Sequence, residues 1–408
     1  MPGNVDFCAT LVDEWVRWGL TDAVVCPGSR STPMAVALLA DPRVRVHVHL
    51  DERSGSFLAL GLARATGRPA VVLATSGTAA VEFHAAVVEA DLDRVPLIAL
   101  TADRPPRLRG VGAPQTIDQV DLYGSAVRAS FDAPVPDRSR SAEWRPLARA
   151  VWRSATGAAP GPVQCNLPFD EPLLDDRIEV PAVDADGHVM IDPPDPFVDL
   201  GTLPARGVIV AGGSIDEPGA VLALADALGW PVLADPRSGC RVPHPRVIAH
   251  ADALVRADGP HLDAAMVVRF GPLPASRMVN EWLASLTVPH VHVDPRRALD
   301  DPHRVVTGVA HMEASEWVAS VLAVSEPEID QQWSALWRRA DDAAEEAIAA
   351  VLRDAGSSEP GVARTVVDAV PAGGALVVSS SMPVRDVEWF STRRDGLTVY
   401  VNLSLIHI

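Results

Sequence analysis

The sequence contains no lysine. All 35 of its basic side chains are arginine, against 53 acidic ones, and the formal net charge is −18. So acidic a chain is ill suited to a polyanion, and no nucleic-acid partner is expected. A local arginine cluster that binds small dianions remains compatible with it. Cysteine is scarce: Cys8, Cys26, Cys165 and Cys240 lie far apart. That spacing fits neither a disulfide scaffold nor a zinc site, and it suits a reducing compartment. No uncharged apolar run approaches the ~18 residues of a membrane span. The first residues also lack a basic-then-apolar leader pattern. A cytoplasmic protein without a membrane span is therefore expected. There is no Walker P-loop and no plausible Ser-His-Asp set. The turn AGGSIDEPG at 211–219 is not G-x-G-x-x-G and has no acidic ribose partner, so it reads as a structural turn. His47 with His49, and His290 with His292, are i, i+2 pairs without a third ligand. They read as polar positions on strands, and no metal site is expected in this chain.

What is present is a globular composition, 48% apolar and 22% charged, with room for two or three domains. Residues 1–175 alternate strand and helix patterns: DAVVCP, VRVHVHL, PAVVLAT and VPLIALTA as strands, with helical segments between them. Such alternation predicts a parallel sheet with helices on both faces. The loops CPGSR, DER, TSGTA and ADRPP then gather along the carboxyl edge of the sheet. Residues 176–206 read as a linker, within a stretch rich in Pro and Asp. A second α/β unit is expected over 207–355, ending in a long helix at 331–352. Trp333, Leu336, Trp337, Ala340, Ala344 and Ile348 would form that helix's core stripe. A third unit is expected to begin at 356 and run to 408: a helix in GVARTVVDAV, a strand in ALVVSSS, a loop in MPVRD and a strand in LTVYVN.

Three places carry chemistry. Glu52 continues the register of Val44, Val46, Val48 and Leu50, which predicts a carboxylate turned inward at a strand end, where burial raises its pKa. Ser29 and Arg30 follow a strand and a Pro-Gly turn just before a helix. Free N–H groups and a guanidinium there make an anion pocket, unless the serines serve only as helix caps. Thr75, Ser76, Gly77 and Thr78 form a small-residue turn between strand and helix.

The motifs CPGSRSTP (26–33), HLDERSGSFLALGLAR (49–64), ATSGTA (74–79), TADRPP (101–106) and GAPQTIDQ (112–119) resemble the pyrimidine-binding domain of thiamine diphosphate enzymes. Within that superfamily they are similar to the menaquinone-pathway family that joins 2-oxoglutarate to isochorismate, the SEPHCHC synthases. The resemblance implies thiamine diphosphate as cofactor, with Mg²⁺ or Mn²⁺ in the complete enzyme, and a homodimer or higher homo-oligomer. It implies that Glu52 bonds the pyrimidine N1′ and favours the imino tautomer, and that Thr75, Ser76, Gly77 and Thr78 lie near that ring. It makes Ser29, Arg30, Arg104, Gln115, Arg277, Ser381 and Arg385 substrate-binding residues. Some members carry Asn where Pro114 stands, so that contact does not transfer. The diphosphate-binding signature, Gly-Asp-Gly followed by Asn, is absent, and LSLIHI after Asn402 departs from the family's continuation. A chain cut within its third domain, without metal ligands and inactive alone, is therefore expected. The alternatives are another thiamine enzyme, of acetolactate synthase or 2-oxoacid decarboxylase type, and a non-catalytic α/β interaction module.

Overall fold

Runs such as Ala70–Ala74 and Leu97–Asp103 are buried at every position, as strands covered on both faces must be. In the computed structural model they are the middle of a parallel sheet. The structure describes residues 3–174, 203–213, 215–257, 263–297, 299–324 and 328–402. They fall into two units, Met1–Asp192 and Pro193–Ile408. Most of the expected linker and the LSLIHI tail lie outside the described residues.

The first unit contains β1 (Asp22–Val25), β2 (Arg45–Val48), β3 (Ala70–Ala74), β4 (Leu97–Asp103), β5 (Ser130–Asp132) and β6 (Pro162–Pro168). Their order is β2-β1-β3-β4-β6-β5, and every pairing is parallel. Val71 and Leu73 face a core shared with α1 (Asn4–Arg17), α2 (Thr32–Ala40) and α6 (Trp144–Thr156). Val72 and Ala74, one residue out of phase, face α3 (Glu52–Thr66) and α5 (His84–Leu92). The period-two alternation of a strand thus divides one apolar run between two helical layers. The helical segment between β3 and β4 is in two pieces: α4 (Thr78–Val81) ends after one turn before α5 begins.

The second unit repeats the plan. Its strands are β7 (Val208–Ala211), β8 (Val232–Ala234), β9 (Val247–Ile248), β10 (Val267–Phe270), β11 (His290–Val293) and β12 (Gly308–Ala310), in the parallel order β12-β11-β10-β7-β8-β9. One face is covered by α7 (Pro218–Leu228) and α10 (Ala314–Val324). The other meets α8 (Ala251–Arg256), α9 (Arg277–Ser285) and α11 (Gln331–Asp354). Trp333 and Trp337 of α11 are buried, and Trp333 Nε1 donates to the Gly207 carbonyl at 2.8 Å. Gly212 has a packing reason: a Cβ there would lie 1.8 Å from the Pro272 carbonyl oxygen. His290 and His292 are buried on β11 rather than lining a polar face.

Beyond α11 come α12 (Glu359–Ala369), β13 (Gly374–Val378), α13 (Met382–Phe390) and β14 (Leu397–Val401), with β13 and β14 paired in parallel. MPVRD, expected as a loop, opens α13: Pro383 sits in the first turn, where its missing N–H costs nothing.

Candidate functional site

The carboxyl ends of β1, β3 and β4 bring three loops into contact. Gly28, after β1, packs directly on Thr75, after β3: a Cβ at 28 would lie 2.3 Å from the Thr75 Cβ. Only glycine allows that approach. Thr75 and Ser76 are buried. Gly77 has φ +87° and ψ −144°, a conformation reserved for glycine, and Thr78 begins α4 at the surface. From the end of β4, Arg104 donates to the Ser76 hydroxyl and, at 3.1 Å, to the Gln115 carbonyl. Gln115 Nε2 returns a hydrogen bond to the Ser76 carbonyl at 3.0 Å. The loops carrying Thr75–Thr78, Arg104 and Gln115 are therefore one hydrogen-bonded structure.

Arg30 joins them. Its guanidinium donates to the Phe169 carbonyl at 3.1 Å and pairs with the largely exposed Glu171 at 3.3 Å. Burial, and then the nearby Arg30 guanidinium, make Arg104 a weaker base than usual. Two cations held close enough to repel each other leave a place favourable to an anion. Ser29 is exposed beside them. The buried Ser31 does not cap α2: its hydroxyl donates back to the Gly28 carbonyl at 2.9 Å.

Glu52 is placed differently from expectation. It does not continue a buried strand face, because β2 ends at Val48, and Val48 and Leu50 are exposed. The reason is local. Asp51 accepts from the Ser54 amide at 2.7 Å and starts α3 at once, making Glu52 its half-buried first residue. A carboxylate there is favoured by the helix dipole. Gly55, one turn on, lets α3 approach β1, its Cβ position being 2.8 Å from Cys26 Sγ. Burial, then the charges of Glu52 and Asp51, push the Cys26 thiol up to about 12. Glu52 thus stands beside the end of β1, two residues before the Gly28 contact.

The other expected residues belong to the second unit. Ser381 precedes α13 with φ +74° and is exposed, and Arg385 follows one turn later. Arg277 opens α9 with an exposed side chain paired to Glu281 at 2.7 Å. Among the described residues, no hydrogen bond or ion pair joins Arg277 to Ser381 or Arg385. His47 binds Asp22 at 3.1 Å, and His49 lies beyond the end of β2. Among the described residues, no group of three His, Cys, Asp or Glu side chains is placed to hold a metal ion.

Gln119, Asn166 and Asp103 escape the sequence reading, yet all are fully buried behind these loops. The available signal is Gln164 and Asn166, two amides on one face of an otherwise apolar strand. Gln119 also sits four residues beyond Gln115 in the GAPQTIDQ motif.

Two family models match the chain. One, described as thiamine pyrophosphate enzyme, N-terminal TPP binding domain, matches residues 6–122. The other, described as middle domain of thiamine pyrophosphate, matches residues 202–378. Several curated relatives share the name 2-succinyl-5-enolpyruvyl-6-hydroxy-3-cyclohexene-1-carboxylate synthase. That of Thermobifida fusca is 42% identical, over 96% of this chain and 71% of its own length. That of Halobacterium salinarum is 38% identical, over 96% and 72%. That of Bacillus velezensis is 37% identical, over 97% and 72%.

Proposed function

The chain belongs to the family of 2-succinyl-5-enolpyruvyl-6-hydroxy-3-cyclohexene-1-carboxylate synthases, and we propose that it serves the thiamine diphosphate-dependent addition of decarboxylated 2-oxoglutarate to isochorismate. The observation that carries this reading is the pair Arg30 and Arg104, held together at the sheet edge of an acidic protein. Both substrates are dicarboxylates. A site built for pyruvate, as in acetolactate synthases and 2-oxoacid decarboxylases, has less need of two guanidiniums. A non-catalytic interaction module has no need of the buried polar turn beside them.

The residues present suit the cofactor's pyrimidine. The Thr75 hydroxyl is buried without a hydrogen-bond partner, which a polar ring would supply. Glu52 would hold the pyrimidine N1′, and Thr75, Ser76, Gly77 and Thr78 would form the wall against the ring. When bound, thiamine diphosphate supplies the nucleophilic carbon and the electron sink of the reaction. Ser29, Arg30, Arg104 and Gln115 orient substrate carboxylates; Arg277, Ser381 and Arg385 are a second such set. Mg²⁺ or Mn²⁺ is the metal the family implies. No acid-rich cluster among the described residues fits it, so no ligand for it is proposed among them. Residues 1–175, 207–355 and 356–408 are assigned as the pyrimidine-binding domain, the central domain and the start of the diphosphate-binding domain.

A homo-oligomer is part of the same proposal. Leu58 of α3 and Val88 and Leu92 of α5 are exposed on helices that pack against each other, and Val48, Leu50 and Val81 are exposed as well. Exposed apolar side chains on neighbouring helices suit a second copy of the chain. Leu92→Glu should shift its sedimentation to the monomer. No described helix is long and apolar enough to cross a membrane, and a cytoplasmic location is proposed.

The test is calorimetric titration of this chain extended by the remainder of a relative's third domain, with thiamine diphosphate and Mg²⁺, then with 2-oxoglutarate and with pyruvate, alongside a product assay with isochorismate. Saturable 2-oxoglutarate binding that weakens in Arg30→Ala and Arg104→Ala is expected. Equal affinity for pyruvate would favour the pyruvate-type enzymes, and indifference to thiamine diphosphate would end the enzymatic reading.

A further inference from the structure

Behind the candidate site lies a closed circuit of hydrogen bonds through the interior of the first unit. Gln119, with no solvent exposure, accepts from the Gly77 amide at 2.8 Å. Its Nε2 donates to the Ala102 carbonyl at 3.1 Å and to Asn166 Oδ1 at 3.0 Å. Asn166 Nδ2 donates to Asp103 Oδ2 at 3.0 Å and to Asp132 Oδ1 at 2.9 Å. Asp103 Oδ1 accepts from the Arg104 amide at 2.7 Å. The Arg104 guanidinium then reaches back to Ser76, the residue before Gly77. Arg109 neutralises both carboxylates, Asp103 at 2.9 Å and Asp132 at 2.7 Å.

We propose that Gln119 and Asn166 are positioning residues, which hold the Thr75–Thr78 turn and Arg104 in one fixed relative geometry. Gly77 adopts a conformation that local sterics do not impose, since glycine is free to leave it. Its amide direction is set from outside, by Gln119. The backbone of Arg104 is set by Asp103. Gln119 and Asn166 bridge these two anchors, and each uses both ends of its amide. The oxygen of Gln119 must face an N–H and its nitrogen must face two acceptors, so only one orientation satisfies it. In a dry interior such a circuit has a single fully paired arrangement, and loss of any member is felt by the others. The cofactor-facing turn and the substrate-facing arginine are thereby registered to each other before either ligand binds. This rests on the functional reading of those two elements given above.

The test is residue-resolved amide hydrogen exchange on the full chain. Gln119→Met should speed exchange at Gly77 by tenfold or more. It should also speed exchange several-fold at the Arg104 amide, which Gln119 does not touch. Asn166→Ala should speed exchange at Gly77, which Asn166 does not touch, while mid-strand amides such as Val72 and Ala99 stay unchanged. Gln119→Glu supplies the readout that a merely space-filling role would not move. When protonated, the introduced carboxyl keeps an acceptor for Gly77 and an O–H donor for Asn166. When ionised it loses the donor and faces the Asp103 and Asp132 carboxylates. Gly77 protection in this variant should therefore match the parent at pH 5 and fall at least tenfold by pH 8, a step the parent lacks. Exchange that rises only next to each substitution, or uniformly through the sheet, overturns the proposal. So does a flat pH profile in Gln119→Glu, which is isosteric and keeps the fold if Gln119→Met does not. Thiamine diphosphate and Mg²⁺ added to the chain extended by the remainder of a relative's third domain separate the two claims: no response at Gly77 there counts against the cofactor reading, while the coupling is judged on exchange alone.

Discussion

Glu388→Gln should make the protein progressively more stable than its parent as pH rises from 5 to 8. Glu388 lies on α13 with 8% of its surface exposed, and its Oε2 has no hydrogen-bond partner. Burial, then the charge of Asp235, raises its carboxyl from the ordinary 4.5 to about 8; Arg241 and Arg237 oppose this without prevailing. Arg241 is mostly engaged elsewhere, donating to the carbonyls of Ala234, Glu388 and Ser391 at 3.1, 2.8 and 2.6 Å. The native state therefore binds a proton that the unfolded chain has released. A raised pKa of this kind gives stability that is fully present below about pH 4.5 and is lost as pH rises through 8. A tenfold change in proton affinity is worth about 1.4 kcal/mol. Relative to a variant without the titration, the parent should fall behind by about 1.4 kcal/mol for each pH step across that window. Glutamine imitates the protonated acid, so the two proteins should be nearly equal at pH 5. The variant should lead by roughly 3 kcal/mol at pH 7.5. Glu313, raised to about 7 by burial and the neighbouring Asp216, titrates in both proteins and cancels. Urea unfolding at four pH values, followed by tryptophan fluorescence, measures the gap. A gap independent of pH, or a parent that gains on the variant at high pH, would show Glu388 to be ionised and paired with Arg241, and would refute the reasoning.

In the chain extended by the remainder of a relative's third domain, Glu52→Gln should leave the circular dichroism spectrum unchanged and slow hydrogen–deuterium exchange at C2 of bound thiamine diphosphate; exchange at the parent rate would sink the role given to Glu52. Arg30→Ala and Arg104→Ala should each lose roughly 1.5–3 kcal/mol of affinity for 2-oxoglutarate, about 10- to 150-fold, with cofactor affinity little changed. Unaltered titration curves for both variants would move the anion pocket elsewhere. Trp337→Ala removes an indole wholly enclosed against Trp282 and Trp333 and should cost about 3–5 kcal/mol in the unfolding of the second unit. A smaller cost would mean that the cavity collapses.

Much of the architecture is legible because it follows from short-range pattern. Apolar runs of strand length alternating with amphipathic helices admit few solutions other than doubly covered parallel sheets. The tryptophans of α11 appear at helical spacing for the same reason. Where the pattern misleads, a local device outweighs it. The alternation of VRVHVHLDE continues past the strand, but the Asp51 cap starts a helix and ends its meaning at Val48. MPVRD reads as a loop by its proline, yet proline in a first turn opens a helix.

The site divides along a similar line. Residues that meet ligands are advertised by glycine-rich turns, because close backbone approach excludes a Cβ; Gly28 against Thr75 is the plainest case. Residues that hold those turns in place carry no such mark. Gln119, Asn166 and Asp103 act through partners as many as 65 positions distant in sequence, as with Asn166 and Thr101, and no local window contains both ends of such a bond. Their one visible trait is polarity where the pattern requires burial. A buried amide is costly unless fully paired, so Gln164 and Asn166 within the apolar run PVQCNLP already imply partners on neighbouring strands. A polar residue inside a doubly covered strand is thus a statement about distant geometry. In this chain it points from the sheet interior to the loops where the chemistry is proposed to lie.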